Sequence, residues 1–118
     1  MGTDHAPAAE VAGAIGALQE LESGIEVVLV GDQALIEAEL ARQPDAPPGR
    51  LHVRHAPDRV TASDPPASVI RRKPGSSIVV GLRLVKAGEA EAFVSAGSTG
   101  AVMATSLFTL RALPGVAR

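Results

Sequence analysis

Residues 95–100, which read Ser-Ala-Gly-Ser-Thr-Gly, are the segment of this sequence best suited to holding a small anion. They lie between a short apolar stretch, 92–94, and a predicted helix, 101–110. Six small residues at such a junction let the backbone approach a ligand closely and leave the first N–H groups of the helix free to donate. The pattern therefore predicts a phosphate-binding loop. An ordinary helix cap by Ser98 or Thr99 is the alternative.

Asp4 and His5 form a second candidate group. Pro7 suits the first position of a helix, so Ala6 becomes a weak N-cap and the early N–H groups stay open to an anion. Asp4 and His5 stand just before those groups, where they can position a substrate or carry a proton. A turn stabilised by Asp4, with His5 on the surface, is the alternative.

Three adjacent cations, Arg71, Arg72 and Lys73, are a third candidate for binding phosphate or an acidic partner. Cations at a solvated helix end explain the same residues, because they favour the negative end of the helix dipole. His52 and His55 have no third ligand near them in the sequence. We therefore interpret both histidines as structural rather than metal-binding.

Composition narrows the classes of function. The 118-residue chain has no cysteine, a net charge of −2, and only two aromatic residues. Without a basic surface or stacking platforms, nucleic acid is not an expected partner. No metal or organic cofactor is indicated. Residues 92–110 carry no charge, but their first half is too weakly apolar to predict a membrane span. No secretory signal is visible, and we expect a cytoplasmic protein.

The pattern of apolar residues predicts alternating helices and strands in the order α-β-α-β-α-α-β-α. Three strands are expected, at 26–30, 51–55 and 92–94. Asp32 is the expected cap of a helix over 33–41, Asp64 of a short helix ending at Arg72, and Ser77 of a helix over 78–87. Such alternation favours a parallel sheet covered on both faces. With three short strands and no opening strand, the chain is expected to be an incomplete part of a larger α/β fold.

Four sequence blocks resemble the bacterial PlsX family in order and spacing. They are Met-Gly-Thr-Asp-His-Ala-Pro at 1–7, Leu-Val-Gly-Asp at 29–32, Arg-Arg-Lys at 71–73, and Ser-Ala-Gly-Ser-Thr-Gly-Ala at 95–101. Thr3 stands where that family usually has glycine, and Ser98 where it has asparagine. Family members are about three times this length, which is more than one typical domain. The resemblance implies that residues 1–118 form the amino-terminal part of one larger α/β domain.

The resemblance also implies an activity. Phosphate acyltransferases of this family move a fatty acyl group from acyl-acyl-carrier-protein to inorganic phosphate, giving acyl phosphate for phospholipid synthesis. They have a three-layer α/β/α fold with a mostly parallel sheet, similar to isocitrate and isopropylmalate dehydrogenases. They are usually cytosolic homodimers with loose membrane association.

Carried onto this sequence, the resemblance gives a set of site residues. The catalytic residues would be Asp4, His5 and Ser98. The phosphate- or substrate-binding residues would be Gly2, Ser95, Gly97, Thr99, Gly100, Arg71, Arg72 and Lys73. A non-catalytic anion-binding module and an inactive truncated remnant are the alternatives that the sequence leaves open.

Overall fold

The structure is a computed structural model that describes residues 5–116. Its first element is α1 (Ala8–Glu20), which buries Val11, Ile15 and Leu18 at helical spacing. The prediction of Ala6 as its N-cap is wrong by one residue. Pro7 stands at the N-cap with φ −91° and ψ 0°, and no side chain caps the helix. Proline suits this end because its missing N–H leaves no donor unsatisfied.

Two parallel strands follow. β1 (Val27–Gly31) and β2 (Leu51–His55) pair in a register that places Val27 beside Leu51 and Gly31 beside His55. The connection between them holds α2 (Gln33–Leu40). The predicted cap is confirmed, because the Asp32 carboxylate accepts a hydrogen bond from the Leu35 N–H at 3.2 Å. This β-α-β unit accounts for the parallel pairing, since a crossover is needed to bring the chain back in the same direction.

The first hydrophobic cluster lies between this sheet and the helices α1 and α2. Val11, Ile15, Leu29 and Ile36 are its buried members. Leu51 and Val53 pack against it from β2. In β2, Leu51 and Val53 alternate with the exposed His52 and Arg54, so this strand presents its apolar side chains on one face of the sheet. In β1, Leu29 lies between two valines.

The remaining elements of the described chain are helices joined by loops. A short 3₁₀ helix (Pro66–Ser68) runs into α3 (Val69–Arg72), followed by α4 (Ser77–Lys86) and α5 (Thr99–Thr109). Two expected caps are corrected. Ser76, not Ser77, caps α4, through its hydroxyl and the Val79 N–H. Asp64 caps no helix, because its carboxylate instead accepts from the Thr61 N–H at 2.6 Å and from Lys73.

The third predicted strand is wrong. Residues 92–94 have irregular backbone, and Val94 is 92% exposed. Phe93 packs onto α4 instead, directly over Gly81, where a Cβ would collide with its ring. A three-residue apolar run can satisfy its burial through one ring on a helix, and this run does so without pairing with a strand.

A second cluster forms among the helices. Its buried members come from α3, α4, α5 and the loop before them: Val60, Val69, Ile78, Val79, Leu82 and Ala101. We call residues 5–56 the sheet half and residues 57–116 the helical half. Packing of α4 on β1 joins the two halves. The described residues thus form an α/β fold with a two-stranded parallel sheet and five α-helices.

Candidate functional site

The loop at 95–100 is shaped by a hydrogen-bonded turn. The Ser95 hydroxyl donates to the Gly97 carbonyl at 2.9 Å, and the Gly97 N–H approaches the same hydroxyl oxygen at 3.3 Å. Both contacts hold the backbone of Gly97 in place. A Cβ added at Gly97 would meet nothing within 4 Å, so its surface borders open space. The loop therefore presents bare backbone in a fixed conformation to the solvent.

The amino-terminal end of α5 completes this loop. Ser98, one of the two residues named as an alternative cap, occupies the N-cap position with φ −76° and ψ 134°, but its side chain makes no capping hydrogen bond. Its carbonyl accepts from the Val102 N–H at 3.0 Å, so the helix begins regularly. The first N–H groups of a helix need an outside acceptor. Within residues 5–116 no side chain supplies one here, so the end of the helix is open to an anion.

Close packing fixes where the loop sits. A Cβ at Gly100 would lie 3.1 Å from the Pro66 ring, so Gly100 allows α5 to approach the 3₁₀ helix. Ala101, one residue further on, is fully buried in the second cluster. Gly100 is therefore a packing residue in this structure. Any ligand would meet the loop on the side of Gly97 and Ser98.

The Asp4–His5 group falls largely outside the described residues, which begin at His5; Gly2 and Asp4 lie before them. His5 itself is exposed, and its carbonyl accepts from the Ala9 N–H at 3.1 Å at the start of α1. Helix α1 packs on α2 and β1, whereas α5 packs on α3, α4 and the 3₁₀ helix. His5 and Ser98 thus begin helices with different packing partners, and their convergence on one phosphate stays a prediction.

The structure divides the three adjacent cations into two kinds. Arg71 and Arg72 are exposed at the end of α3 and contact no acceptor among the described residues. The Lys73 ammonium is engaged, donating to the Asp64 carboxylate at 2.8 Å and to the Arg59 carbonyl at 2.6 Å. The hydrogen bond from Lys73, followed by the Thr61 N–H, lowers the pKa of Asp64 from 3.8 to about 2. Lys73 can meet phosphate only by leaving this pair.

Arg71 opens onto a cavity that the sequence analysis did not foresee. Its volume is about 400 Å³, and its lining residues are Ala67, Ile70, Arg71, Arg83, Lys86, Phe108 and Thr109. Arg83 and Lys86 belong to α4, and Phe108 and Thr109 to the last turn of α5. One signal was present in the sequence, since residues 65–88 contain five cations and no acid. That signal could not show that three of the cations border one space.

The two histidines interpreted as structural make local contacts. His52 Nε2 lies 2.9 Å from a Glu26 carboxylate oxygen, and His55 Nδ1 accepts from the Gln33 N–H at 3.1 Å. The second contact caps the start of α2. Across residues 5–116 no group of three or more histidine or acidic side chains is arranged to hold a metal ion.

In the part of the chain that the structure describes, no helix has the length and apolar character needed to cross a membrane.

Similarity to known proteins identifies the family of this chain. The family described as fatty acid synthesis protein matches residues 1–118, and the chain belongs to that family. It is similar to phosphate acyltransferases: 51% identical over 118 residues to one from Desulforamulus reducens, covering all of this chain and 34% of that protein. The similarity is 50% over 117 residues to one from Herpetosiphon aurantiacus, covering 99% of this chain and 31% of the relative.

A third relative extends the comparison. The chain is 45% identical over 118 residues to the phosphate acyltransferase of Salinibacter ruber, covering all of this chain and 35% of that protein. The chain thus spans about a third of the length of the curated relatives that it matches. The match supports the family resemblance drawn from the four sequence blocks.

Proposed function

We propose that this chain contributes the phosphate-binding loop of a phosphate acyltransferase, which moves a fatty acyl group from acyl-acyl-carrier-protein to inorganic phosphate. One structural observation carries the proposal. The open backbone at Gly97 leads directly into an uncapped helix, α5, whose first N–H groups await an acceptor. Phosphate is a natural ligand for such an end. The relatives named phosphate acyltransferase supply the reaction.

The proposed reaction requires little acid–base catalysis by the side chains. An oxygen of the phosphate dianion attacks the thioester carbonyl, the carbon–sulfur bond breaks, and the products are acyl phosphate and the carrier thiolate, which takes a proton from solvent. The relevant phosphate pKa is about 6–7, close to that of a phosphoester, so a large share of the phosphate is dianion near neutral pH. The protein must mainly position phosphate and stabilise the developing oxyanion. Backbone N–H groups suit both tasks.

Each predicted residue receives a role in this proposal. The N–H groups that follow Ser98 hold phosphate against the bare backbone of Gly97, while the hydroxyls of Ser95, Ser98 and Thr99 adjust its orientation. Asp4 and His5 approach the carbonyl or the leaving sulfur from a second loop that begins at Gly2. Gly100 keeps α5 close to the 3₁₀ helix.

The cations of α3 have a separate role in the proposal. Arg71, Arg72 and Lys73 contact phosphate or the acidic carrier protein. Arg71 borders the same cavity as Phe108, which lies at the opposite end of α5 from Ser98. At 1.5 Å per residue the ten intervening steps span about 15 Å, which favours a carrier contact over the phosphate at the loop. Charge reversal read against salt concentration separates steering at the surface from a buried contact.

The finer properties of the family are part of the same proposal. They are a three-layer α/β/α fold of the isocitrate dehydrogenase kind, a homodimer, and a cytoplasmic protein with peripheral membrane contact. The two-stranded parallel sheet and its β-α-β connection are compatible with such a fold. Sedimentation measurements would test the dimer, and vesicle flotation the membrane contact.

The loop is tested by Gly97→Val, with Gly24→Val as the matched control. Neither glycine has neighbours within 4 Å of an added Cβ, and neither has a positive φ, so both variants should keep the fold. We expect Gly97→Val to weaken phosphate binding by at least about tenfold, as the side chain covers the donors. Titration with inorganic phosphate, followed by amide NMR shifts in residues 95–101, measures the effect.

Turnover is tested by phosphate-dependent release of carrier thiol from acyl-acyl-carrier-protein. Loss of one oxyanion donor costs about 2.7–4 kcal/mol in the barrier, a fall of about 10² to 10³ in rate. His5→Ala should alter the pH profile of the rate if His5 assists the reaction. Phosphate binding without thiol release would favour the anion-binding module, and equal phosphate binding by Gly97→Val would remove the loop from the site.

A further inference from the structure

The cavity lined by α3, α4 and α5 combines three cations with apolar side chains. Arg71, Arg83 and Lys86 border it, and the apolar lining comes from Ile70, Ala67 and Phe108. Phe108 is 68% exposed despite its size. A phenyl ring this accessible leaves most of its apolar surface in contact with water. The cavity thus offers both charge and apolar surface to a ligand.

Its cations have no partners within the described chain. Arg71, Arg83 and Lys86 make no hydrogen bond or ion pair with any of residues 5–116. Arg83 and Lys86 are three residues apart on α4, where like charges repel each other. Cations at a helix end also stabilise the helix dipole, and that explains their positions singly. The helix dipole does not explain why cations of α3 and α4 border the same cavity as the Phe108 ring of α5.

The size and composition of the cavity indicate its ligand. A cavity of about 400 Å³ falls in the range of small-molecule sites, far above the ~30 Å³ that one water occupies. An inorganic anion alone would leave the apolar lining in contact with water. A neutral hydrocarbon would leave three cations without a counterion. A molecule with an anionic head and an alkyl chain satisfies both.

We propose that this cavity binds a single-chain amphiphile with a phosphate head, the head between Arg83, Lys86 and Arg71 and the chain along Phe108 and Ile70. The choice of a phosphate head rests on the proposed function, whose product is such an amphiphile. The site itself is distinct from the loop at 95–100. It lies at the far end of α5 and uses Arg83 and Lys86, which have no role in the proposed reaction.

The binding experiment uses the 118-residue chain and three probes: decyl phosphate below its critical micelle concentration, inorganic phosphate, and 1-decanol. Amide NMR shifts locate each probe. We expect decyl phosphate to shift residues of α3, α4 and the last turn of α5, with an affinity at least about tenfold above either other probe at this cavity. Equal affinity for decanol would reduce the site to an apolar surface and overturn the proposal.

Variants test the head and the chain separately. Arg83→Gln combined with Lys86→Gln should weaken decyl phosphate binding by about tenfold or more, because charge-assisted hydrogen bonds are lost. Phe108→Ser should weaken it by about fivefold or more through lost apolar contact. Arg111→Gln is the matched control: Arg111 is also unpaired among the described residues, but it does not border the cavity. Its affinity should stay within about twofold.

Two further measurements distinguish the cavity site from binding at a membrane surface and from binding at the loop. Vesicles that contain phosphatidic acid present the same phosphate monoester head at a membrane surface. Binding to vesicles that depends on Arg83 and Lys86, without binding of monomeric decyl phosphate, would overturn the cavity site in favour of a membrane surface. Gly97→Val should leave decyl phosphate binding unchanged. If that variant loses inorganic phosphate binding at the loop while decyl phosphate binding fails in every form, the proposed function survives and this inference does not.

Discussion

The sheet half and the helical half of this molecule use their charged side chains in opposite ways. Residues 5–56 hold eight acids and three arginines, whereas residues 57–116 hold four acids and seven cations. All three arginines of the sheet half have partners: Arg42 with Glu39, Arg54 with Glu89, and Arg50 with three backbone carbonyls. Five cations of the helical half, Arg71, Arg72, Arg83, Lys86 and Arg111, have none among the described residues.

Exposed apolar side chains are also distributed unequally between the sheet half and the helical half. The exposed large apolar side chains number three in the sheet half, at Leu21, Ile25 and Leu35. There are seven in the helical half: Val94, Met103, Leu107, Phe108, Leu110, Leu113 and Val116. Exposed apolar surface beside unpaired cations is typical of an interaction surface rather than of solvated structure. We therefore predict that the helical half meets ligands, whereas the arginines of the sheet half act within the fold.

The largest expected effect concerns the core of the helical half. Leu82 is 2% exposed in the second cluster, so Leu82→Ala should lower the free energy of unfolding by about 2–5 kcal/mol. Because α4 packs on β1, we expect amide hydrogen exchange to rise in β1 and β2 as well. Urea unfolding and exchange measure both, with Ile36→Ala as the equivalent change in the first cluster. Unchanged exchange in the strands would show that the halves unfold independently.

Arg50 tests the structural use of cations in the sheet half. Its guanidinium donates to the carbonyls of Leu18, Glu22 and Ile25 at 3.0, 2.7 and 3.0 Å, which ties the end of α1 to the start of β2. Arg50→Ala should lower the free energy of unfolding by about 1–3 kcal/mol, measured by urea unfolding.

Two other arginine variants are the controls for Arg50→Ala. Arg42→Ala removes an exposed contact with Glu39 at 3.7 Å and should cost less than about 0.5 kcal/mol. Arg72→Ala, an unpaired cation of the helical half, should cost equally little. An Arg72 effect as large as that of Arg50 would contradict the division between the halves.

We predict that replacing Thr105 by valine stabilises the helical half. It is fully buried in α5, and its hydroxyl has no hydrogen-bond partner among the described residues. Thr105→Val keeps the shape and removes the unsatisfied group, so thermal unfolding should show a gain of about 1 kcal/mol. Ser76→Ala is the opposite case, because the Ser76 hydroxyl caps α4, and should cost about 1 kcal/mol. A loss of stability in Thr105→Val would mean that the hydroxyl has a partner.

The smallest expected effect on stability concerns Asp64, and it is visible only at acidic pH. Its pKa is lowered from 3.8 to about 2 in the folded protein, so the pair with Lys73 stabilises the fold above about pH 4. That stabilisation is lost as the pH falls from about 4 to about 2. Asp64→Asn should therefore flatten the fall of the melting temperature in this range. The exposed Asp45→Asn is the control, and a flattening equal in both would exclude the pair as its cause.

Local signals sufficed wherever neighbouring residues decide the structure. The β-branched run of β1, the Asp32 cap and the alternation in β2 were predicted within a residue or two, because each depends on contacts a few positions apart. The errors at Ser77 and Asp64 also have local causes. A hydroxyl one residue earlier was equally able to cap α4, and the Asp64 carboxylate was drawn to Lys73, nine residues away.

The sequence by itself determined the small-residue loop, the ancestry, and the strong cationic bias of residues 65–88. Only the tertiary structure decided that Phe93 packs on Gly81 instead of forming a strand, and that Arg71, Arg83 and Lys86 share one cavity with Phe108. The physical reason is the range of the interactions. Caps and strand alternation act within a few residues, whereas the meeting of side chains from three helices depends on how those helices pack.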